Sequence, residues 1–327
     1  MNDVRLPRRA ALAAGLAAAW PGIARAEAYP DRPIKWIVAY AAGGGTDTLA
    51  RILGTAMATT LGQPLVIDNR PGAATNIGAE ATAKSPPDGY TVFSADNGTL
   101  VFNPALFRSL PYDPRRDFRR IGLMARFPLV LTVRQGSAFR DAAGFFAAAK
   151  AKPGEHDYAS AGIGSPHHLT MERLSKETGT RLNHVPYRGA APALNDLLAG
   201  NVEAMILDLP SGAEYLRSGR VTPLALCSAA RHPDLPAVPT VQEALGLKGF
   251  EAYAWQGLVV PARTPDAIAA RLAATLAAAL AERAVADRMR GIGLEPLAGG
   301  PAEFEALEAA ERAIWVPLIK ERGIALD

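Results

Sequence analysis

Short runs of β-branched and aromatic residues alternate with segments of helical period along the whole of this chain. That alternation restricts the fold to βαβ units assembled into largely parallel sheets, an α/β class. The first unit is the clearest. A strand Ile34-Lys35-Trp36-Ile37-Val38 leads through a glycine loop into a helix that presents Leu49, Ile52, Leu53, Met57 and Leu61 on one face. Gly62 follows where a helix C-cap favours glycine. The pattern continues with strand Leu65-Val66-Ile67, a turn at Arg70-Pro71-Gly72, a short helix near residues 76–84, a Pro86-Pro87 stop and strand Tyr90-Thr91-Val92-Phe93-Ser94. After Pro128 a second half mirrors the first: strand Leu129-Val130-Leu131-Thr132-Val133, a helix over 141–152, strand Asp157-Tyr158-Ala159-Ser160 and another glycine loop opening a helix. Further units run through 202–207 and 224–227, one last strand lies past Trp255, and Ala/Leu-rich helices fill 265–322.

The N-terminus reads as an export signal. Arg5, Arg8 and Arg9 precede an apolar run over 10–19, and Ala24-Arg25-Ala26 offers small residues for cleavage, which places the mature start at Glu27. The run is too short to span a bilayer. Arg8-Arg9 fits a twin-arginine signal, but Pro7 precedes the pair and no Phe follows it, so Sec and twin-arginine export both stay open; either delivers the chain to the periplasm. About 300 mature residues exceed the size at which one core usually stops growing, so two lobes are expected.

The formal charge of +3 comes from the leader: without its four arginines and one aspartate, the 35 basic and 32 acidic residues become 31 of each. A neutral mature chain lacks the basic surface on which nucleic-acid affinity rests, so no nucleic-acid partner is expected. The single Cys227 lies in an apolar run and excludes an internal disulfide scaffold.

Two glycine loops sit between a strand and a helix, Gly43-Gly44-Gly45-Thr46-Asp47 and Ser160-Ala161-Gly162-Ile163-Gly164-Ser165. In open α/β sheets ligands bind at such points, because first-turn N–H groups lack intrahelical partners and carry the positive end of the helix dipole. An anion is the expected guest. Neither loop meets Gly-x-Gly-x-x-Gly and neither is followed by the lysine of a phosphate loop, so a carboxylate fits better than a polyphosphate. Asp47 reads more readily as a helix N-cap than as a ligand contact. His167 and His168 are adjacent and point apart on a helix, with no completing set of ligands for a metal. No Gly-x-Ser-x-Gly elbow is present. Arg188 and Tyr187, just after a strand, Asp208 after Met205-Ile206-Leu207, and Trp255 can each face a cleft or serve the surface and core.

Taken in order, Tyr29-Pro30, Pro33-Ile34, Asn69-Arg70-Pro71-Gly72-Ala73 with Asn76-Ile77-Gly78-Ala79-Glu80, Pro87-Asp88-Gly89-Tyr90-Thr91 and Leu110-Pro111-Tyr112-Asp113-Pro114 form a distinctive series. It continues through Ala151-Lys152-Pro153-Gly154, Tyr158-Ala159-Ser160-Ala161-Gly162, His184-Val185-Pro186-Tyr187, Ala191-Pro192-Ala193-Leu194 and Val238-Pro239-Thr240. The series resembles the Bug receptors, the extracytoplasmic solute receptors of tripartite tricarboxylate transporters, over nearly the whole mature chain. The resemblance implies a type II periplasmic-binding fold: two α/β lobes, a ligand cleft and two crossover segments, with residues 1–26 as signal peptide, 27–127 plus 250–327 as lobe 1 and 128–249 as lobe 2. It implies a small carboxylate solute, whether dicarboxylate, aromatic acid or amino acid, held between the two glycine loops partly through bridging waters. It also implies delivery to the large and small membrane subunits of a tripartite permease, with no cofactor, no catalysis and a monomeric receptor. The candidate ligand-binding residues are Ala42, Gly43, Gly44, Thr46, Asp47, Asn97, Ser160, Ala161, Gly164, Ser165, His168, Tyr187 and Asp208. Two departures stand out: Ala41-Ala42 where the family usually has prolines, and Pro166-His167 where small polar residues are common. A ligand-responsive sensor partner and, on the same scaffold, a periplasmic enzyme using His168 or Asp47 as base are the alternatives.

Overall fold

The computed structural model describes residues 29–326; the export signal read at 1–26 lies outside the described residues. In chain order the first half runs β1 (Ile34–Val38), α1 (Gly45–Leu61), β2 (Leu65–Asn69), α2 (Asn76–Ala83), β3 (Thr91–Asp96), α3 (Asn103–Leu106) and β4 (Phe118–Arg134). Next come α4 (Ala142–Ala151), β5 (Asp157–Ser160), α5 (Pro166–Thr178), β6 (Asn183–Pro186), α6 (Ala190–Ala199), β7 (Ala204–Asp208), α7 (Leu209–Arg217) and β8 (Val221–Leu226). The chain closes with α8 (Val241–Leu245), β9 (Tyr253–Pro261), α9 (Asp266–Ala281), α10 (Arg283–Gly291), β10 (Glu295–Pro296) and α11 (Pro301–Glu321).

Two parallel triplets, β2-β1-β3 and β7-β5-β6, flank an antiparallel centre made by β9 and β4. The alternating pattern therefore gives the triplets correctly but not this centre, because β9 arrives from far along the chain. The segment around Pro128 also differs from the sequence reading. Instead of starting a new strand there, the chain runs straight through as the seventeen-residue β4. Its first part pairs with β9 up to Pro128↔Tyr253, and from Leu129↔Asp208 onward it pairs with β7 and, on its other edge, β8. Proline lacks the N–H that a central strand position needs, and here it falls where β4 exchanges one partner for another. A second crossing lies alongside, tied by Cys227 N to Leu129 O and Ala252 N to Cys227 O.

Each triplet is covered by the apolar face its helices carry. Ile34, Trp36 and Val38 of β1 pack with Leu49, Ile52, Leu53 and Met57 of α1, and Trp36 Nε1 donates to Ser94 Oγ at 2.8 Å, satisfying a buried indole. On the other side Val130, Ala159, Met205 and Leu207 pack with Leu194 and Leu197 of α6. A third cluster, with Phe93, Leu123, Leu131, Phe145 and Tyr158, extends across both halves, so the central strands share a continuous core. Among the described residues no helix is long and apolar enough to cross a membrane.

The C-terminal helix α11 is fastened to β4 by a buried ion pair. Arg120 Nε and Nη2 donate to Glu308 Oε1 and Oε2, each at 2.8 Å, while Nη1 donates to the carbonyls of Pro114 and Phe118. At its far end Arg322 donates to Glu172 of α5 at 2.8 Å, so α11 also touches the second half. Removing one partner of a buried pair leaves an uncompensated charge, at a cost of about 3–5 kcal/mol. Arg312, 3.7 Å from Glu308, offsets part of this. We expect Arg120→Met to lower unfolding free energy by about 3 kcal/mol, and the double variant Arg120→Met, Glu308→Leu to recover most of it, read as denaturant midpoints.

Candidate functional site

The C-terminal ends of β1 and β3 on one side, and of β5 and β7 on the other, meet across the floor formed by β4 and β9. In the first half, β1 ends at Val38 and an exposed loop over 41–44 leads to α1. Gly43 takes the left-handed conformation (φ +83°), which favours glycine there. Asp47 folds back beneath the loop: Oδ2 accepts from Gly43 N and Arg51 Nε, and Oδ1 from Arg51 Nη2 and Asn69 Nδ2. Burial raises its pKa, yet these donors outweigh it and hold the carboxyl below its ordinary value. Asp47 is thus an anion fully engaged in shaping the loop. Thr46 Oγ1 accepts from Gln256 Nε2 of β9 at 2.6 Å, which fixes the first turn of α1 to the floor. At the helix start itself Gly44 offers no side chain to cap the first N–H groups.

In the second half, Ser160 ends β5. Its Oγ accepts from Gly162 N at 3.1 Å and lies 2.6 Å from His184 Nε2. Ser165 caps α5 by accepting from His168 N, while Gly164 N donates to His168 Nδ1 at 3.1 Å. The His168 ring stacks on His184 (4.0 Å between centroids), and His184 stacks on Tyr158 at 4.8 Å. His168 therefore clamps the glycine loop from inside the lobe. Asp208, at the end of β7, caps α7: Oδ1 accepts from Ser211 N, and Oδ2 lies 2.9 Å from His167 Nε2. Burial pushes this carboxyl upward, but the bonds from His167 and Ser211 prevail and its pKa is lowered.

The two halves touch over this region. A Cβ built on Gly45 would lie 3.1 Å from Pro210 Cβ of α7 and 3.0 Å from the Phe127 ring, so only glycine permits that approach without displacement. One built on Gly164 would lie 2.4 Å from Leu106 of α3. The start of α1 thus lies against the start of α7, and the bond between His167 and Asp208 sets the first turn of α5 beside α7 as well. Open surface depressions lie elsewhere, one along Pro33, Lys35, Val66 and Asp68 and another between Arg134 and Arg220; neither reaches the glycine loops.

Of the candidate residues, Ala42, Gly43, Gly44, Thr46 and Asp47 sit on the α1 side, and Ser160, Ala161, Gly164, Ser165, His168 and Asp208 on the α5 and α7 side. Asn97 is fully buried near the floor, its Nδ2 donating to Tyr253 O. Tyr187 points its hydroxyl to Asp196 Oδ2 at 2.6 Å, while its N–H holds Ser160 O. Two participants carry no signal of their own in the sequence. Gln256 and Pro210 reach the site only through strand pairing and lobe contact. His167 was set beside His168 as an adjacent pair; the two rings do diverge, and His167 is the one that meets Asp208. Among the described residues no group of three or more His, Cys, Asp or Glu is arranged to hold a metal ion.

A curled α/β sheet with two halves joined by continuous strands, and a glycine loop opening a helix in each half, defines a solute-binding protein of the type II periplasmic-binding fold. Residues 49–324 match the family model described as tripartite tricarboxylate transporter family receptor. Protein BugT of Bordetella pertussis is 36% identical over 316 residues, covering 95% of this chain and 97% of BugT. Among solved structures, R. palustris Rpa4515 with adipate gives a TM-score of 0.86 at 36% identity, covering 91% of this chain and 99% of its own. MatC from Rhodopseudomonas palustris with bound malate gives 0.82 at 33%, covering 89% and 100%. The chain belongs to the tripartite tricarboxylate transporter receptor family, whose members are periplasmic solute-binding proteins, and the Bug resemblance holds.

Two predictions follow from the loop geometry. Burial, then the neighbouring charges of His184 and Arg322, push His168 down to about 3, and burial pushes His184 down to about 4, from an ordinary 6.5. A folded pKa below the unfolded one means stability that is whole above pH 6.5 and is lost as pH falls through about 4 and 3. The melting temperature should therefore fall as pH drops from 6.5 to 4, and His184→Gln should flatten that slope; equal slopes would refute the assignment. Gly43→Ala meets only backbone strain, about 1–2 kcal/mol. Gly164→Ala adds collision with Leu106, so its loss should be larger and should be partly recovered by Leu106→Ala in a double-mutant cycle.

Proposed function

We propose that this chain is a periplasmic receptor that captures a small carboxylate, seating one acid group between the loop at 42–45 and the loop at 160–165. The reading is carried by the approach of α1 to α7 at Gly45 and Pro210, with the first turn of α5 tied to the same place through His167 and Asp208. A carboxylate accepting charge-assisted bonds from such turns gains about 1.5–3 kcal/mol per bond, and the helix dipole adds about 0.3–1 kcal/mol. Recognition by backbone N–H groups suits a carboxylate, because Gly44 leaves the start of α1 without a side-chain cap. The relatives determined with adipate and with malate support the same ligand class.

On this reading the lobes are 27–127 plus 250–327 and 128–249, supported by the partner exchange of β4 after Pro128. Residues 1–26 direct export by the Sec or twin-arginine route, and the mature monomer delivers its solute to the large and small membrane subunits of a tripartite permease. Binding without catalysis is supported by the engagement of the reactive side chains: Asp47 is saturated by donors and His168 is occupied by Gly164.

Ligand bound only by the folded state raises the melting temperature. At 100 times Kd the stabilisation is about 2.7 kcal/mol, which for a chain of this size is roughly 5 °C. The mature protein from Glu27, screened against dicarboxylates, aromatic acids and amino acids, should show such a rise with one acid class. No shift across the panel, together with no acid released from the denatured protein by mass spectrometry, would overturn the reading.

A further inference from the structure

His167 is the second residue of α5 and is 9% exposed. Its Nε2 faces Asp208 Oδ2 at 2.9 Å, and the other carboxylate oxygen accepts from Ser211 N. Asp208 acts as acceptor at both oxygens, so the proton of the imidazole is on Nε2. Nδ1 is then left with its lone pair; it is buried and has no hydrogen-bond partner among the described residues. The pair stands where the halves meet: two residues past Asp208, Pro210 abuts the position of Gly45.

We propose that His167 is a specificity-determining residue, whose Nδ1 accepts a hydrogen bond from a donor substituent, a hydroxyl or an N–H, carried by the bound carboxylate beside its acid group. This rests on the carboxylate-receptor reading and narrows it. An ionised acid without such a donor presents only acceptors to a lone pair backed by an anionic aspartate, and leaves Nδ1 unpaired. Sites built to bond a substrate hydroxyl discriminate strongly against the analogue lacking it.

The test is calorimetry on the mature protein with matched acids: succinate and malate, glutarate with 2-hydroxyglutarate and glutamate, phenylacetate and mandelate. The donor-bearing member of the recognised pair should bind at least tenfold more tightly than its parent. His167→Phe should weaken that member at least tenfold and leave the parent within twofold. Asp208→Asn keeps the α7 cap but offers an N–H to Nε2, which moves the ring proton to Nδ1 and should turn the preference toward the 2-oxo analogue. Ring ¹⁵N NMR of the complex should show Nδ1 unprotonated, a readout that needs no variant to fold. Equal binding of donor and parent, equal weakening of both by His167→Phe, or a doubly protonated ring would overturn the proposal and leave the carboxylate reading standing. Binding of none of these acids would overturn the proposal, and the wider thermal screen with mass spectrometry would then decide the carboxylate reading separately.

Discussion

Backbone hydrogen bonding along β4 has to be satisfied on both edges over seventeen residues, and the chain meets that demand with two different sets of partners. Up to Pro128 the strand belongs with β9 and the first parallel triplet, and from Leu129 it belongs with β7, β8 and the second. Because both halves are built outward from one continuous strand, their loops are set against each other by sheet geometry. The second crossing at Cys227 and Ala252 and the strap of α11 reinforce the same alignment. A change in the angle between the halves has to be absorbed near Pro128 and the antiparallel crossing beside it. Elsewhere the strands lie inside ladders and packed cores that do not deform continuously.

The site built on that frame uses side chains chiefly to hold backbone. Asp47 ties Gly43, Arg51 and Asn69; Ser160 and His168 hold Gly162 and Gly164; Thr46 anchors α1 to Gln256. On the proposed reading, what is left for a solute is amide N–H groups at helix ends, together with a few side-chain atoms. Such a seat reads a carboxylate without placing a buried lysine or arginine against it, and so avoids the desolvation of an added cation. The glycine positions are constrained for different reasons. Gly43 needs a left-handed backbone, Gly45 lies against Phe127 and Pro210, and Gly164 needs both the backbone and the space beside Leu106.

Much of this architecture was legible residue by residue. The apolar face of α1, the left-handed Gly62 after it and the two strand-loop-helix glycine segments lie where periodicity and capping chemistry put them. These are local properties, fixed by 3.6- and 2-residue repeats and by φ preferences. The reading failed where a feature depends on residues distant in sequence. Pro128 looked like a strand boundary because a proline normally cannot sit mid-ladder, and only the exchange of partners beside it makes the position acceptable. The short β10, Glu295–Pro296, pairs with Ala125 and Arg126 and carries no pattern of its own. At the site, His168 and His167 are indistinguishable in sequence, yet one turns inward to stack on His184 and the other meets Asp208 forty-one residues away.

The sequence by itself determined the α/β class, the positions of the two anion-seeking loops, the absence of a nucleotide fingerprint and, through its ordered motifs, the receptor family. All of these are carried by residues close together along the chain. Tertiary structure decided which strand both halves share, which histidine faces the lobe junction and which nitrogen of it is left unpaired. Those outcomes depend on hydrogen bonds between segments dozens to hundreds of residues apart, whose partners are chosen only when the sheets assemble.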